Sequence, residues 1–94
     1  MAAMLPIQWR TEAQTDLTRI LGYLAERSQQ AAFDLYNNID QVVSQLPQHP
    51  YLYRCGRVAG TRELVVHPNY VIVYQIGTAS IEIISVLHAR QQYP

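Results

Sequence analysis

Apolar residues follow two different spacings in this chain, and the change falls in the segment between Pro47 and Pro50. Before it they recur every three or four positions, as on one face of a helix. After it they alternate or form short runs rich in β-branched and aromatic residues, which is typical of strands. A segment with the helical period does not form a stable strand, and a segment with the strand period does not form a stable helix. The chain must therefore fold as a helical half followed by a β half.

The helical half predicts two helices. The first begins after Thr11, whose hydroxyl can cap it, and runs to Arg27. The second begins after the capping residue Ser28 and ends at Pro47. Because the join between them is short, we expect an antiparallel hairpin. The predicted apolar stripes comprise Ala13, Leu17, Ile20, Leu21 and Leu24, then Ala32, Leu35, Tyr36, Ile39, Val42, Val43 and Leu46.

The β half predicts strands at 51–58, 62–66, 70–76 and 80–87. The segment 5–9 predicts a further strand, in which Pro6 lies at a sheet edge or at the strand start. Short connections favour antiparallel neighbours. We therefore predict one domain over residues 1–94 with an α+β fold: a short N-terminal strand, an antiparallel helix hairpin, and then a three- to four-stranded antiparallel sheet. Strands 70–76 and 80–87 are nearly all apolar on both sides, so a partner or a pocket is expected on the face that the hairpin leaves open, unless an end element of this small domain curls over it.

Composition narrows the class of protein further. A hydrophobic fraction of 49% with 15% charged residues describes a folded chain and excludes disorder. The single Cys55 excludes an intrachain disulfide, and no Cys/His spacing is typical of a metal site. No segment is long and apolar enough to span a membrane, and the start does not resemble a signal peptide. We expect a cytoplasmic protein without metal or cofactor and without a membrane partner.

Positive charge is concentrated in the second half of the chain. The sequence has no lysine, and the arginines of residues 51–94 outnumber the acids there, whereas the first half is acidic. Arginine suits forked contacts to phosphate and carboxylate, although genomic base composition explains the lack of lysine equally well. The asymmetry favours the second half as the place where an anionic target binds. The candidate target-binding residues are Arg54, Arg57, His67 and Arg90.

Three residues could carry chemistry: Arg62, His88 and Tyr93. A histidine can move a proton, an arginine can neutralise a phosphate, and a tyrosine can stack on a base. A ribonuclease that uses the RNA 2′-hydroxyl needs these functions and no metal. The alternative is a solvated sheet edge with a hydrogen-bonded histidine. Antiparallel pairing predicts Arg62 beside Tyr74 or Gln75, and His88 nearer His67 and Tyr70.

Three segments in order, EAQTDLTRILGYLAE, RELVVHPNYVIVYQI and IEIISVLHARQQYP, resemble the RelE/ParE superfamily of toxins from bacterial type II toxin–antitoxin modules. The resemblance spans roughly residues 7–93 and implies the same fold as the spacing does. It implies a plasmid-stabilisation type of toxin that arrests growth and is held silent by a cognate antitoxin wrapped over its sheet and helices. The matching residues are Ala13, Asp16, Leu17, Ile20, Tyr23, Arg62, Glu63, Tyr70, Ile72, Tyr74, Val86, His88 and Arg90.

The superfamily divides by target. RelE-like members cut mRNA in the ribosome, and by resemblance Arg62, His88 and Tyr93 would be catalytic in that case. Asn69 and Val65 stand where one ribonuclease branch has an acid and a histidine, and the chain is neutral where many ribonucleases are basic. ParE-like members poison DNA gyrase, and VLHAR at 86–90 matches their last strand. The resemblance favours the gyrase target over the ribosome with its mRNA. A non-toxic interaction module is a third possibility.

Overall fold

The structure, a computed structural model, describes residues 4–90. One five-stranded sheet has the order β1-β5-β4-β3-β2, with β1 parallel to β5 and the other neighbours antiparallel. The predicted strand, helix hairpin and antiparallel meander are therefore confirmed, with β1 at a sheet edge. The elements are β1 Ile7–Trp9, α1 Thr11–Arg27, α2 Gln29–Ser44, β2 Arg54–Cys55, β3 Thr61–His67, β4 Tyr70–Ile76 and β5 Ile81–His88.

Both helices pack on one face of the sheet and enclose the core. The predicted stripes supply its helical side, with Ala13, Ile20, Leu35 and Ile39 nearly inaccessible to solvent. Tyr36 is the exception, because it is half exposed. The buried residues Leu35, Ile39 and Val43 recur every four positions, which places Tyr36 on the flank of that stripe. The sheet contributes Leu64, Val66, Tyr70, Ile72, Tyr74, Ile81, Ile83 and Val86.

The two helices begin differently. Ser28 caps α2 as predicted, because its hydroxyl accepts a hydrogen bond of 3.1 Å from the Ala31 N–H. The predicted cap of α1 is wrong: Thr11 is already helical, and Arg10 takes the N-cap position without a side-chain hydrogen bond. The Arg10 N–H instead donates to the Ile83 carbonyl, which prolongs the β1 pairing up to the first helical residue. Strand and helix thus join without a capping loop.

The first predicted meander strand is much shorter than expected. Only Arg54 and Cys55 of the segment 51–58 form β2, and Tyr51 and Leu52 are largely exposed. The carbonyls of Tyr51 and Tyr53 accept hydrogen bonds from the Arg62 side chain. The Arg62 side chain thus provides the hydrogen bonds that a neighbouring strand would otherwise give to these carbonyls.

The second face of the sheet is partly buried within the chain itself. Val71, Val73 and Leu87 point away from the helices by strand alternation, yet each is less than a tenth exposed. Val65 on the same face is 54% exposed. On β4 and β5 these side chains are therefore shielded without a partner, and the expected partner or pocket stays a prediction for the exposed part of the face on β3. Within residues 4–90, neither helix has the length and apolar character needed to cross a membrane.

Candidate functional site

The predicted functional side chains lie at the two opposite ends of the strands. At one end, which we call the histidine end, His67 of β3 and His88 of β5 flank Tyr70 of β4. The centroid of each imidazole lies 5.5 Å from the centroid of the Tyr70 ring. Tyr70 is buried and both histidines are exposed. The predicted proximity of His88 to His67 and Tyr70 is confirmed.

Both histidines are oriented by the backbone that follows them. The Asn69 N–H donates to His67 Nδ1 at 3.0 Å, and the Arg90 N–H donates to His88 Nδ1 at 3.2 Å. A neutral imidazole whose Nδ1 accepts a hydrogen bond carries its proton on Nε2. Both rings therefore present an Nε2–H donor. Asn69 orients His67 through its backbone N–H and not through its side chain. An acidic residue at this position could make the same hydrogen bond.

A cleft of about 270 Å³ opens between helix α1 and the histidine end. Its floor is apolar, and its rim carries an arginine, two tyrosines and a histidine. The Arg27 guanidinium lies 3.7 Å from the centroid of the Tyr23 ring, so a second cation stands beside the rim. Such a cleft suits a ligand that offers an acceptor and a flat or apolar group. The lining residues are Arg19, Ile20, Tyr23, Tyr70, Val86 and His88.

At the other end, the arginine end, Arg62 is held by the backbone that precedes β2. Its Nη1 donates to the Tyr53 carbonyl at 2.7 Å and to the Tyr51 carbonyl at 3.3 Å, and the guanidinium lies 5.0 Å from the Tyr51 ring centroid. Tyr74 pairs with Arg62 in the sheet, as predicted, and its hydroxyl donates to the Pro50 carbonyl at 2.7 Å. Burial raises the pKa of Tyr74 to about 12 against the opposing effect of the Arg62 charge.

The other face of the arginine end carries an ion-pair cluster. Glu63 is only 4% exposed, and its carboxylate meets Arg54 Nη2 at 2.9 Å and Arg57 Nε at 3.7 Å. Both arginines are far more exposed than the acid between them. The cluster fixes β2 and the following loop against β3. It also presents two guanidinium groups to solvent.

The predicted catalytic residues are not all brought together. Arg62 pairs with Tyr74, and His88 pairs with Tyr70. Tyr70 and Tyr74 are four positions apart on β4, so Arg62 and His88 are separated by about 13 Å along the strand. Tyr93 lies outside the described residues. The predicted target-binding residues divide in the same way: Arg54 and Arg57 belong to the arginine end, and His67 and Arg90 to the histidine end.

Arg19 and Tyr23 are cleft residues that the sequence did not single out as functional. They lie four positions apart on α1, so they share one helix face. That spacing was a usable signal, but the identity of the strand opposite this face could not be read from the helix alone. The contact with β5, near the other end of the chain, makes them part of the site.

Solved structures show that this fold recurs. A chromosomal ParDE toxin–antitoxin system from P. aeruginosa superposes with a TM-score of 0.76 at 20% identity, covering 90% of this chain and 96% of that chain. The YoeB dimer from Staphylococcus aureus gives 0.65 at 14% identity, covering 97% and 100%. At identities this low the superpositions establish the fold alone, and that fold is RelE/ParE-like.

Sequence comparison identifies the family. Toxin RelE2 of Caulobacter vibrioides is 33% identical over 88 residues, which is 94% of this chain and 99% of that protein. Y4kP of Sinorhizobium fredii is 36% identical over 89 residues, 94% and 92% of the two chains. The family described as ParE toxin of type II toxin–antitoxin system, parDE, matches residues 7–93, and the chain belongs to it. The predicted RelE/ParE superfamily membership is thereby confirmed.

Proposed function

We propose that this toxin arrests bacterial growth by acting on DNA gyrase in the cytoplasm, without cleaving RNA. The observation that supports a non-cleaving mechanism is the separation of Arg62 from His88. Arg62 is bound to two backbone carbonyls at the arginine end. A phosphate beside His88 would be out of its reach, since a contact to a transferring phosphoryl group requires hydrogen-bond distance.

RNA cleavage is the second candidate, and one observation favours it. His67 and His88 flank Tyr70 at a cleft that Arg19 also lines. These imidazoles could divide the roles of general base and general acid only once the backbone N–H groups release their Nδ1 atoms, since proton transfer at Nε2 requires a proton on Nδ1. A ribosome-dependent endoribonuclease would therefore have to use Arg19, and not Arg62, as its phosphate contact.

We further propose that a cognate antitoxin neutralises the protein by covering its helix hairpin. Large aromatic side chains stand exposed there: Tyr23 on α1 and Phe33 and Tyr36 on α2 are 50% to 61% accessible. Exposed aromatic residues are enriched at protein interfaces, where they supply much of the binding energy. Removal of this cover by the loss of the antitoxin would release the toxin.

The proposal is tested by inducing the chain alone in a bacterium and following viable counts, the DNA-damage response and the positions of mRNA ends. We expect growth arrest with induction of the damage response and intact mRNA. Cuts at codon boundaries would exclude the pure gyrase mechanism and support the second candidate. Unimpaired growth, with the protein present and folded, would leave only the interaction module. Co-expression of a neighbouring reading frame that restores growth would identify the antitoxin.

A further inference from the structure

Strand β5 contains a bulge that decides which of its side chains face the helices. Tyr74 pairs with Ile83 and the adjacent Val73 pairs with Ser85, so β5 has one more residue than β4 at this point. Side chains normally alternate along a strand, and an extra residue reverses the alternation beyond it. Val86 and His88 therefore share the helix-facing side with Ile83. An unbulged strand would present Ser85 and Leu87 there.

A carboxylate from helix α1 completes the bulge. Asp16 Oδ2 accepts a hydrogen bond of 3.1 Å from the Val86 N–H, directly after the irregularity. A bulge interrupts the ladder of backbone hydrogen bonds, and Val86 is 1% exposed. A buried N–H without a partner is costly. The pairing of β1 with β5 ends at Trp9 opposite Ile83, so within residues 4–90 no strand covers this edge of β5 at Val86, and Asp16 supplies the acceptor there.

The same carboxylate also orients the opposite wall of the cleft. Asp16 Oδ1 accepts from Arg19 Nη2 at 3.2 Å, one helical turn further along α1. The side chain of Asp16 is 18% exposed and that of Arg19 is 66% exposed. Asp16 is thus joined to β5 through Val86 and to the cleft rim through Arg19.

We propose that Asp16 is a positioning residue for the histidine end: its carboxylate holds the β5 bulge that places His88, and not Leu87, on the helix side beside Tyr70. The effect on toxicity rests on the proposed function, with the cleft as part of the surface that meets the target. The effect on the bulge does not depend on what the target is.

The test uses NMR on the full chain and three variants. Asp16→Ala removes the acceptor, Asp16→Asn keeps an oxygen that can accept from Val86, and Asp34→Ala is a control at an exposed aspartate that accepts from Gln30 on α2. We expect Asp16→Ala to speed hydrogen exchange at Val86 by about tenfold or more. We also expect it to weaken the nuclear Overhauser effect between the rings of Tyr70 and His88. Asp16→Asn is expected to restore both, and Asp34→Ala to change neither.

A residue that only stabilises the fold would lower the melting temperature without moving His88. Unchanged Val86 exchange and an unchanged Tyr70–His88 Overhauser effect in Asp16→Ala would therefore overturn the proposal. If Asp16→Ala does not fold, Asp16→Leu decides, because leucine is close to aspartate in size and has no acceptor for the Val86 N–H. Loss of Val86 protection and of the Tyr70–His88 ring contact in that variant supports the proposal, and wild-type values of both overturn it.

Toxicity separates this inference from the proposed function. If the wild type arrests growth, we expect Asp16→Ala to need at least about tenfold more protein for the same arrest, because the rim of the cleft is displaced. A toxic wild type with an Asp16→Ala variant of unchanged geometry would refute only the positioning role. A wild type without toxicity would refute the proposed function, and the exchange and Overhauser measurements would still decide the role of Asp16.

Discussion

At the scale of the residue, Glu63 shows how the chain tolerates a buried charge. Its carboxylate is 4% exposed and is compensated by Arg54 and Arg57, whose own side chains reach solvent. Buried charges are favourable only when they are paired in this way. The acid therefore ties β2 and its loop to the sheet, and the interaction depends on its negative charge.

Replacing Glu63 by glutamine tests this dependence. We expect Glu63→Gln to lower the free energy of unfolding by about 1–3 kcal/mol, since the two guanidinium groups lose their counter-charge. The matched control is Glu82→Gln, which breaks the half-exposed pair with Arg10 and should cost less than about 1 kcal/mol. Urea denaturation measures both. Equal losses would show that burial of Glu63 adds nothing.

Tyr74 predicts how the protein responds to alkaline pH. Its pKa is about 12 when folded and 10.0 as a free side chain, so between these values the folded state keeps a proton that the unfolded state has lost. The contribution of Tyr74 to the free energy of unfolding is therefore fully present below about pH 10. It falls by about 1.4 kcal/mol per pH unit as the pH rises towards 12.

The variant Tyr74→Phe isolates this effect. It should cost about 1 kcal/mol at pH 7 through the lost hydrogen bond to Pro50. It should also flatten the decline of stability above pH 10 relative to the wild type. Guanidinium titrations at several pH values measure both effects. A variant with the wild-type slope would show that Tyr74 does not cause the alkaline loss.

At the scale of the element, the two helix starts offer a direct comparison. Ser28 caps α2 through its hydroxyl, whereas Thr11 lies inside α1 and the position before it has no side-chain cap. We expect Ser28→Ala to lower the free energy of unfolding by about 1 kcal/mol, and Thr11→Ala to leave it within about 0.5 kcal/mol. Thermal and urea denaturation measure these values. A larger loss for Thr11→Ala than for Ser28→Ala would contradict the assignment of the caps.

The same elements show what the sequence could and could not predict. Helix periodicity and the short turns gave the hairpin, the meander and the pairing of Arg62 with Tyr74. The run IEIISVLH is apolar on both sides, so nothing in it reveals the bulge that turns His88 towards the helices. The sequence also did not reveal that β2 is confined to Arg54 and Cys55. The carbonyls before it are bound by the Arg62 side chain of β3, a contact that a local pattern does not show. Local patterns fix the elements, whereas contacts between distant segments fix the site.

At the scale of the whole molecule, the length of the strands separates two groups of polar side chains. The histidine end combines His67, His88 and Arg90 with an aromatic cleft, and the arginine end holds Arg62 and the Glu63 cluster. An enzyme that cleaves RNA needs its proton-transfer and phosphate-binding groups within reach of one phosphate. A protein that binds a large target can use both ends. The distance between Arg62 and His88 therefore supports the proposal that this protein binds its target without cleaving RNA.

Replacing His88 by glutamine distinguishes a contact from a catalyst. Glutamine can donate a hydrogen bond but cannot exchange a proton near neutral pH. On the gyrase mechanism, we expect His88→Gln to keep growth arrest within about tenfold of the wild type in viable counts. On the ribonuclease mechanism, loss of a general acid or base should reduce activity by about 10²–10⁴-fold. Complete loss of arrest with an unchanged fold would favour cleavage.

The most direct test is a supercoiling assay with purified DNA gyrase and increasing amounts of the purified toxin. A gyrase poison should inhibit supercoiling and accumulate cleaved DNA in proportion to its concentration, and prior addition of the antitoxin should prevent both. Translating ribosomes with a defined mRNA serve as the parallel reaction, in which we expect no cleavage. Gyrase activity that is unaffected at concentrations where ribosome-bound mRNA is cut would contradict the proposed function.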